Sequence, residues 1–199
     1  FSLALFAAGV TLAASINTIA LAIALLNSLL LILYSFSLQN KILLGNLTVS
    51  HLVGSTFLFG GAAAGSLPAP ALLFLLAFLA NLSREIVKDL EDIEGDKKAL
   101  LKKMSSHKKG IAERFDLSSL EPTLRHKKLL LFLAGLSLLL AIITSPTPFT
   151  LGIMGLPYLL LLVPADLFFL FSLLQLAIAQ DSTSGIRGRL LGKKAYGKI

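Results

Sequence analysis

The sequence predicts an all-α fold, a polytopic transmembrane helix bundle, and three observations lead to this prediction. The chain has 199 residues, of which 55% are hydrophobic, and its mean hydropathy is +0.83. Only 15% of the residues are charged, whereas a typical soluble domain carries about 25%. The apolar residues also fall into runs of the length, about 20 residues, that a helix needs to cross a bilayer.

Six apolar runs, separated by short polar or small-residue breaks, predict six membrane spans. They are residues 1–16, 19–38, 47–66, 69–87, 129–145 and 149–180. The first run opens at "FSLALFAAGV" without Met or a basic segment, so we expect residues to be missing before Phe1. Pro157 and Pro164 either kink the last run or divide it into two spans. The basic tail that follows favours one kinked helix.

The distribution of charge predicts the orientation in the membrane. Lys41 is the only charged residue before Arg84, and a dense charged segment follows. Because Lys and Arg accumulate on the cytoplasmic side, we expect residues 88–128 to form a cytoplasmic charged loop. Lys41, two spans away, and the basic tail from Arg187 then lie on the same face. The net charge of +7 therefore indicates loops beside a membrane and no nucleic-acid partner. The absence of Cys excludes disulfides and thiolate metal sites.

One polar stripe stands out in this apolar chain. At about 100° per residue, a helix from 81 to 96 places one set of polar side chains within a sector of about 140°. They are Asn81, Arg84, Glu85, Lys88, Asp89, Asp92 and Asp96. Carboxylates at this spacing offer the hard oxygen ligands that suit Mg²⁺, which proteins commonly share with substrate phosphates. The alternative is a solvated helix end held by ion pairs between neighbouring turns.

The residues of this stripe resemble a family motif. The stretch "REIVKDLEDIEGDKK", residues 84–98, is similar to the second aspartate-rich motif of the UbiA superfamily of intramembrane prenyltransferases. It is most similar to the archaeal branch, the digeranylgeranylglyceryl phosphate synthases. The upstream stretch "LYSFSLQNKILLGNLTVSHLVGSTFLFGGAAAG", residues 33–65, resembles the family's Tyr-and-Lys loop, Gly-Asn pair and glycine-rich span.

The resemblance implies a nine-helix bundle in which Mg²⁺ bridges two Asp-rich motifs to an isoprenyl diphosphate. Residues 1–199 would then form a single prenyltransferase domain. The family's first motif, N-D-x-x-D-x-x-x-D, is absent, and we expect it to precede Phe1 together with two helices. The residue after Asp96 also departs from the family pattern, which continues with a glycine and a Thr-Leu-Pro turn.

The resemblance also implies the site residues. Asp92 and Asp96 match the family's D-x-x-x-D pair, and Asp89 is an additional acid upstream. These three would hold Mg²⁺, with Asp92, Asp96 and Tyr34 in catalytic roles and Tyr34 near the allylic carbon. Four further residues would bind substrate, three of them as cationic contacts of the diphosphate. They are Lys41, Arg84, Lys88 and Asn81.

The function implied is transfer of a geranylgeranyl group from its diphosphate to a lipid-like acceptor in the membrane. The preferred acceptor is geranylgeranylglyceryl phosphate, in archaeal ether-lipid synthesis, because further lysines follow the motif and could bind its phosphate. They are Lys97, Lys98, Lys102 and Lys103. The alternatives are an aromatic acceptor, such as a hydroxybenzoate or quinone precursor, a membrane transporter, or a noncatalytic scaffold. The sequence gives no basis for an oligomeric state.

Two further residues in the apolar runs have alternative interpretations. Asp166 follows Pro164 and is either a functional intramembrane acid or a buried carboxyl beside a kink. His51 lies among small polar residues and is either a contact inside the bundle or part of an acceptor site.

Overall fold

The computed structural model describes residues 2–39, 41–105 and 127–195. This part of the chain is helical and contains no strand. We label the helices α1 to α7, and a π-helical turn at Tyr34–Leu38 follows α2 directly. The α-helices are α1 Ser2–Ile16, α2 Thr18–Leu33, α3 Ile42–Ala63, α4 Pro68–Ser105, α5 Lys127–Thr144, α6 Thr147–Thr150 and α7 Leu156–Ala195.

The polytopic all-α prediction is confirmed. Five helical segments of the described residues are long and apolar enough to cross a membrane, and a shorter apolar helix covers Ala4–Ile16. The last predicted run differs at its start, because a short helix and a turn precede α7, which begins at Leu156 instead of residue 149. Pro157 lies in the first turn of α7, where its missing N–H costs nothing. Pro164 lies inside α7, which continues past it as one helix.

A single residue, Asn17, joins α1 to α2, and its side chain forms hydrogen bonds with both α2 and α3. Its Oδ1 accepts a hydrogen bond of 2.8 Å from the N–H of Ala20 and so caps α2. Its Nδ2 donates 2.7 Å to the carbonyl of Ala62 near the end of α3. The α1–α2 corner is therefore tied to the end of α3.

Helix α3 ends in a glycine turn that brings α4 back against it. Gly65 has φ +73°, and Ser66 N–H bonds to Gly61 O at 3.0 Å, the pattern of a Schellman cap. Gly54 lets the two helices approach closely, since a Cβ there would lie 2.9 Å from the Phe74 ring. The α3–α4 pair is thus a tightly packed antiparallel hairpin.

Helix α4 extends well beyond the apolar run that predicted it. The run ends at residue 87, whereas α4 continues to Ser105, so the charged segment 88–128 begins as helix. Residues 106–126 of that segment lie outside the described residues. Near the point where the apolar run ends, a buried cluster joins α4 to α5. It consists of Ile86, Leu90, Leu130, Leu131 and Ala134.

The reversals of the chain bring the starts of α3 and α5 next to the middle of α4. Helix α3 begins at Ile42 and α5 begins at Lys127, and α4 passes this level near Asp89, which interacts with Asn46 of α3. We call this region the polar end of the bundle. At the opposite end, α5 leads through α6 to a turn in which Gly152 has φ +67°, a conformation that favours glycine. The candidate site lies at the polar end.

Candidate site at the polar end

The π-helical turn places Tyr34 beside the start of α3. Gln39 N–H reaches back five residues to Tyr34 O at 3.0 Å, so the turn holds one more residue than an α-helical turn would. A Cβ on Gly45 would lie 3.0 Å from Leu38 O and 3.6 Å from Cε2 of Tyr34. The glycine therefore makes room for the turn, and the Tyr34 ring lies next to the residue that precedes Asn46. Lys41 occupies the N-cap position of α3 without a side-chain capping hydrogen bond, and its side chain is exposed.

Below this turn, polar side chains cross the interface between α3 and α4. Ser50 is fully buried and its hydroxyl donates 2.6 Å to the carbonyl of Asn46. Asn81 on α4 donates from Nδ2 to the Ser50 hydroxyl at 3.3 Å. Arg84 donates in turn to Oδ1 of Asn81 at 3.4 Å. A continuous series of hydrogen bonds thus connects a cation at the polar end to the backbone of α3.

The two cations of α4 flank a carboxylate. Arg84 lies 3.0 Å from Glu85 and Lys88 lies 4.0 Å from it, while only 13% of the Glu85 side chain is exposed. The cations themselves are open to solvent, with 71% of the Arg84 side chain and 58% of the Lys88 side chain exposed. Because exposed ion pairs are weak, both cations can exchange Glu85 for the oxygens of an anionic ligand.

The carboxylates follow one turn further along α4. Asp89 is half-buried and Asp92 is exposed, and the charges of Glu85, Lys88 and Asp92 all act on Asp89. The Asn46 amide of α3 also interacts with Asp89, although its buried Nδ2 completes no hydrogen bond in the described structure. Asp96 lies on the same helix, with its side chain outside the described ones.

This donor set fits a magnesium ion shared with a ligand. Among the described side chains, no group of three or more His, Cys, Asp or Glu residues gathers into a closed cage. Mg²⁺ does not require such a cage, because it is commonly bound by one or two carboxylates together with substrate phosphates and water. Asp89 and Asp92 provide two carboxylates on neighbouring turns of one face. A divalent cation would also offset the mutual repulsion of Glu85, Asp89 and Asp92.

The structure brings most of the predicted residues to one end of the bundle. Asn81, Arg84, Lys88, Asp89 and Asp92 follow one another along α4, as the stripe predicted. Lys41 and Tyr34 lie at the start of α3 and in the turn before it. Their assigned roles stay predictions, as does that of Asp96.

Sequence reasoning missed Asn46 and Ser50 as members of this region, whereas it had placed Glu85 in the polar stripe. Asn46 lies in the Gly-Asn pair that had supported the resemblance. A buried amide in an apolar run was the signal available for it. The contact of Asn46 with Asp89 depends on the register between α3 and α4, and the sequence pattern does not predict that register.

Together, the apolar helices and the charged end define a polytopic membrane protein whose exposed cations and carboxylates gather at one end. The chain belongs to the UbiA prenyltransferase family, whose sequence model matches residues 1–190. The membership predicted from the second Asp-rich motif is therefore confirmed, and the protein is an integral membrane protein of that family.

Named relatives point to the archaeal branch. A digeranylgeranylglyceryl phosphate synthase of Methanopyrus kandleri is 45% identical, over 98% of this chain and 68% of the relative. The synthase of Methanosarcina mazei is 42% identical, over 92% of this chain and 58% of the relative. The predicted similarity to this branch is confirmed.

A solved structure shares the fold. It is described as "Structural and mechanistic insights into the biosynthesis of Digeranylgeranylglyceryl phosphate synthase in membranes" and superposes with a TM-score of 0.67 at 35% identity. The match covers 89% of this chain and 57% of the other. The chain thus spans between about half and two thirds of the length of these relatives.

Proposed function

We propose that the full-length protein transfers a geranylgeranyl group from its diphosphate to geranylgeranylglyceryl phosphate. The observation that carries this proposal is the order of charges along one face of α4. The exposed cations Arg84 and Lys88 precede the carboxylates Asp89 and Asp92, next to an apolar bundle. The names of the relatives support the same reaction.

The reaction requires charge stabilisation at the leaving group. The bond between C1 of the prenyl chain and the diphosphate oxygen breaks, and its electron pair leaves with the diphosphate. The acceptor's hydroxyl oxygen forms the new ether bond to C1 and loses its proton. Arg84 and Lys88 release Glu85 and bind phosphate oxygens, as charge-assisted hydrogen bonds favour. Lys41 approaches from the start of α3.

The acids of α4 hold the metal in this proposal. Asp89, Asp92 and Asp96 would hold Mg²⁺, and the bound ion would supply positive charge to stabilise the leaving diphosphate. The metal and the two α4 cations act on the same group, so removal of either should slow the breaking of the C1–O bond.

Tyr34 serves the other side of the reacting carbon. Its ring lies against Gly45, at the same end of the bundle as Asn46 and Asp89. An aromatic face attracts a cation, so the Tyr34 ring stabilises the positive charge that develops on the allylic C1. The long prenyl chain extends from there along the apolar helices.

The acceptor's phosphate needs cations besides those that bind the diphosphate. Lys97, Lys98, Lys102 and Lys103 follow the acids in the sequence and supply them in this proposal; their side chains lie outside the described ones. The polar end faces the cytoplasm, because the basic segments flank it.

An acceptor comparison tests the proposal. The full-length gene product in detergent or liposomes is assayed with radiolabelled geranylgeranyl diphosphate and Mg²⁺, with each acceptor in turn. We expect an ether product from geranylgeranylglyceryl phosphate and none from a hydroxybenzoate. Prenylation of the aromatic acid alone would overturn the acceptor assignment and leave prenyl transfer standing. Absence of both products from a folded protein would overturn prenyl transfer itself.

A further inference from the structure

We propose that Asn46 is a positioning residue that orients the Asp89 carboxylate for the metal ion. This inference rests on the proposed function, since it assumes that Asp89 binds a divalent cation. Asn46 lies on α3, whereas every acid of the motif lies on α4. Its role would therefore extend the metal site to a second helix.

The Asn46 amide has an unused donor that faces the site. Only 6% of Asn46 is exposed, and its Nδ2 is buried with no hydrogen-bond partner in the described structure. The neighbouring side chain with which the Asn46 amide interacts is that of Asp89. A buried donor without a partner costs free energy, so a position that keeps one calls for an explanation beyond packing.

The backbone of Asn46 is linked to α4 by hydrogen bonds that do not involve Asp89. Ser50 donates 2.6 Å to the Asn46 carbonyl, and Asn81 of α4 donates 3.3 Å to the Ser50 hydroxyl. On the other side, Gly45 allows the turn before α3 to pack against the helix. The main chain that carries the Asn46 amide is thus connected to α4 through Ser50 and Asn81.

A primary amide suits the task of holding a metal-binding carboxylate. When one oxygen of Asp89 binds the metal, the other oxygen still has lone pairs that need a donor. An Nδ2–H group supplies that donor without adding a charge that would repel the cation. Outer partners of this kind commonly change metal affinity by about 10–100-fold when they are removed. We infer that Asn46 closes its hydrogen bond to Asp89 when the cation is bound.

Metal binding, measured separately from turnover, tests this role. Mn²⁺ serves as the probe and is titrated by electron paramagnetic resonance into the full-length protein with an unreactive geranylgeranyl thiodiphosphate. Asn46→Ala should weaken Mn²⁺ binding by about 10-fold or more and raise the Mg²⁺ concentration needed for half-maximal turnover. Asn46→Asp keeps the side-chain volume but replaces the N–H donor by a carboxylate. In the presence of the thiodiphosphate, this variant should also bind Mn²⁺ more weakly than the wild-type protein does.

Asn27 provides a matched control. It is a part-buried amide at the α2–α3 interface, and its Nδ2 donates 2.8 Å to the Ser55 hydroxyl. Asn27→Ala should lower thermal stability while leaving Mn²⁺ affinity within about twofold of wild type. If Asn46→Ala behaves like Asn27→Ala, Asn46 is a packing residue and the proposal is wrong.

The experiment separates this proposal from the proposed function. Mn²⁺ binding that depends on Asn46, in a protein that transfers no prenyl group, would overturn the reaction and leave the positioning role. A wild-type protein that binds no Mn²⁺ would overturn the positioning role. Prenyl transfer observed in that same protein would leave the reaction standing.

Discussion

The Ser145 hydroxyl lies 2.6 Å from Oδ2 of Asp166, a contact that joins the end of α5 to α7. Tyr158 on α7 donates 2.7 Å to the carbonyl of the same serine. No described residue of α7 between Leu156 and Gln175 is buried, so the helix has little packed surface to hold it. Asp166, read from the sequence as either a functional acid or a buried carboxyl, thus takes part in an interhelical hydrogen bond.

Tyr158→Phe should loosen α7 from α5. The substitution removes only the hydroxyl that binds the Ser145 carbonyl, and the lost hydrogen bond should lower the free energy of unfolding by about 1 kcal/mol. Ser172→Ala is the control, because that hydroxyl bonds 2.9 Å to Phe168 O within α7 itself. Thermal unfolding in detergent measures both variants. Equal melting temperatures for the two would show that the Tyr158 bond contributes nothing to helix docking.

Two neighbouring glycines of α3 should respond in opposite ways to alanine. A Cβ on Gly61 would lie 2.7 Å from Ser66 O and against Pro70, whereas a Cβ on Gly60 would meet nothing within 4 Å. Gly61→Ala should therefore destabilise the protein by about 1–3 kcal/mol through overpacking. Gly60→Ala should be neutral or stabilise it by up to about 1 kcal/mol, since alanine favours helix. Chemical denaturation in mixed micelles ranks them, and the reverse order would contradict the close α3–α4 packing.

Asp92→Asn and Asp96→Asn should abolish prenyl transfer with little effect on folding. Each change removes a negative charge from the proposed metal site while keeping the size of the side chain. Turnover of the full-length protein is measured alongside its melting temperature, with Glu91→Gln as the control because Glu91 is also exposed on α4. If a variant keeps more than about a tenth of the wild-type rate, the activation barrier has changed by less than about 1.4 kcal/mol. The substituted aspartate is then not a catalytic residue.

The topology can be tested with single cysteines, since the chain contains none of its own. Lys41→Cys, Lys103→Cys and Lys193→Cys should all react with a membrane-impermeant maleimide from the cytoplasmic side. Ser66→Cys, in the exposed turn between α3 and α4, should react from the opposite side. Reaction at position 193 from the side that labels position 66 would contradict the proposed cytoplasmic tail.

The apolar runs predicted the positions of the membrane-spanning helices. They predicted the first and last residues of those helices less well. Helix α3 begins at Ile42, five residues before the predicted run, which starts at residue 47. The prediction was late because Lys41 and Asn46 lower the hydropathy of the first helical turn without preventing it from being helical. Helix α4 continues to Ser105 since Glu, Lys and Leu favour helix after the apolar residues stop. Hydropathy thus locates spans better than it locates helix termini.

The site was predictable to the extent that it lies along one helix. Arg84, Lys88 and Asp89 share a face of α4, and helical periodicity alone places them there. The approach of Asn46 to Asp89 depends on how far α3 is shifted along α4. That shift follows from the Gly65 turn and the Gly54–Phe74 contact, which are tertiary features. Periodicity within one segment carries no information about them.

The wide turn at Tyr34–Leu38 also has a consequence for comparing relatives. A π-helical turn accommodates one residue more than an α-helical turn, and here it ends α2 before α3 starts at Ile42. A relative without this turn should be one residue shorter between Leu33 and Lys41. Alignments that omit a one-position gap there would pair Tyr34 with the wrong neighbour and misplace its counterpart in every such relative.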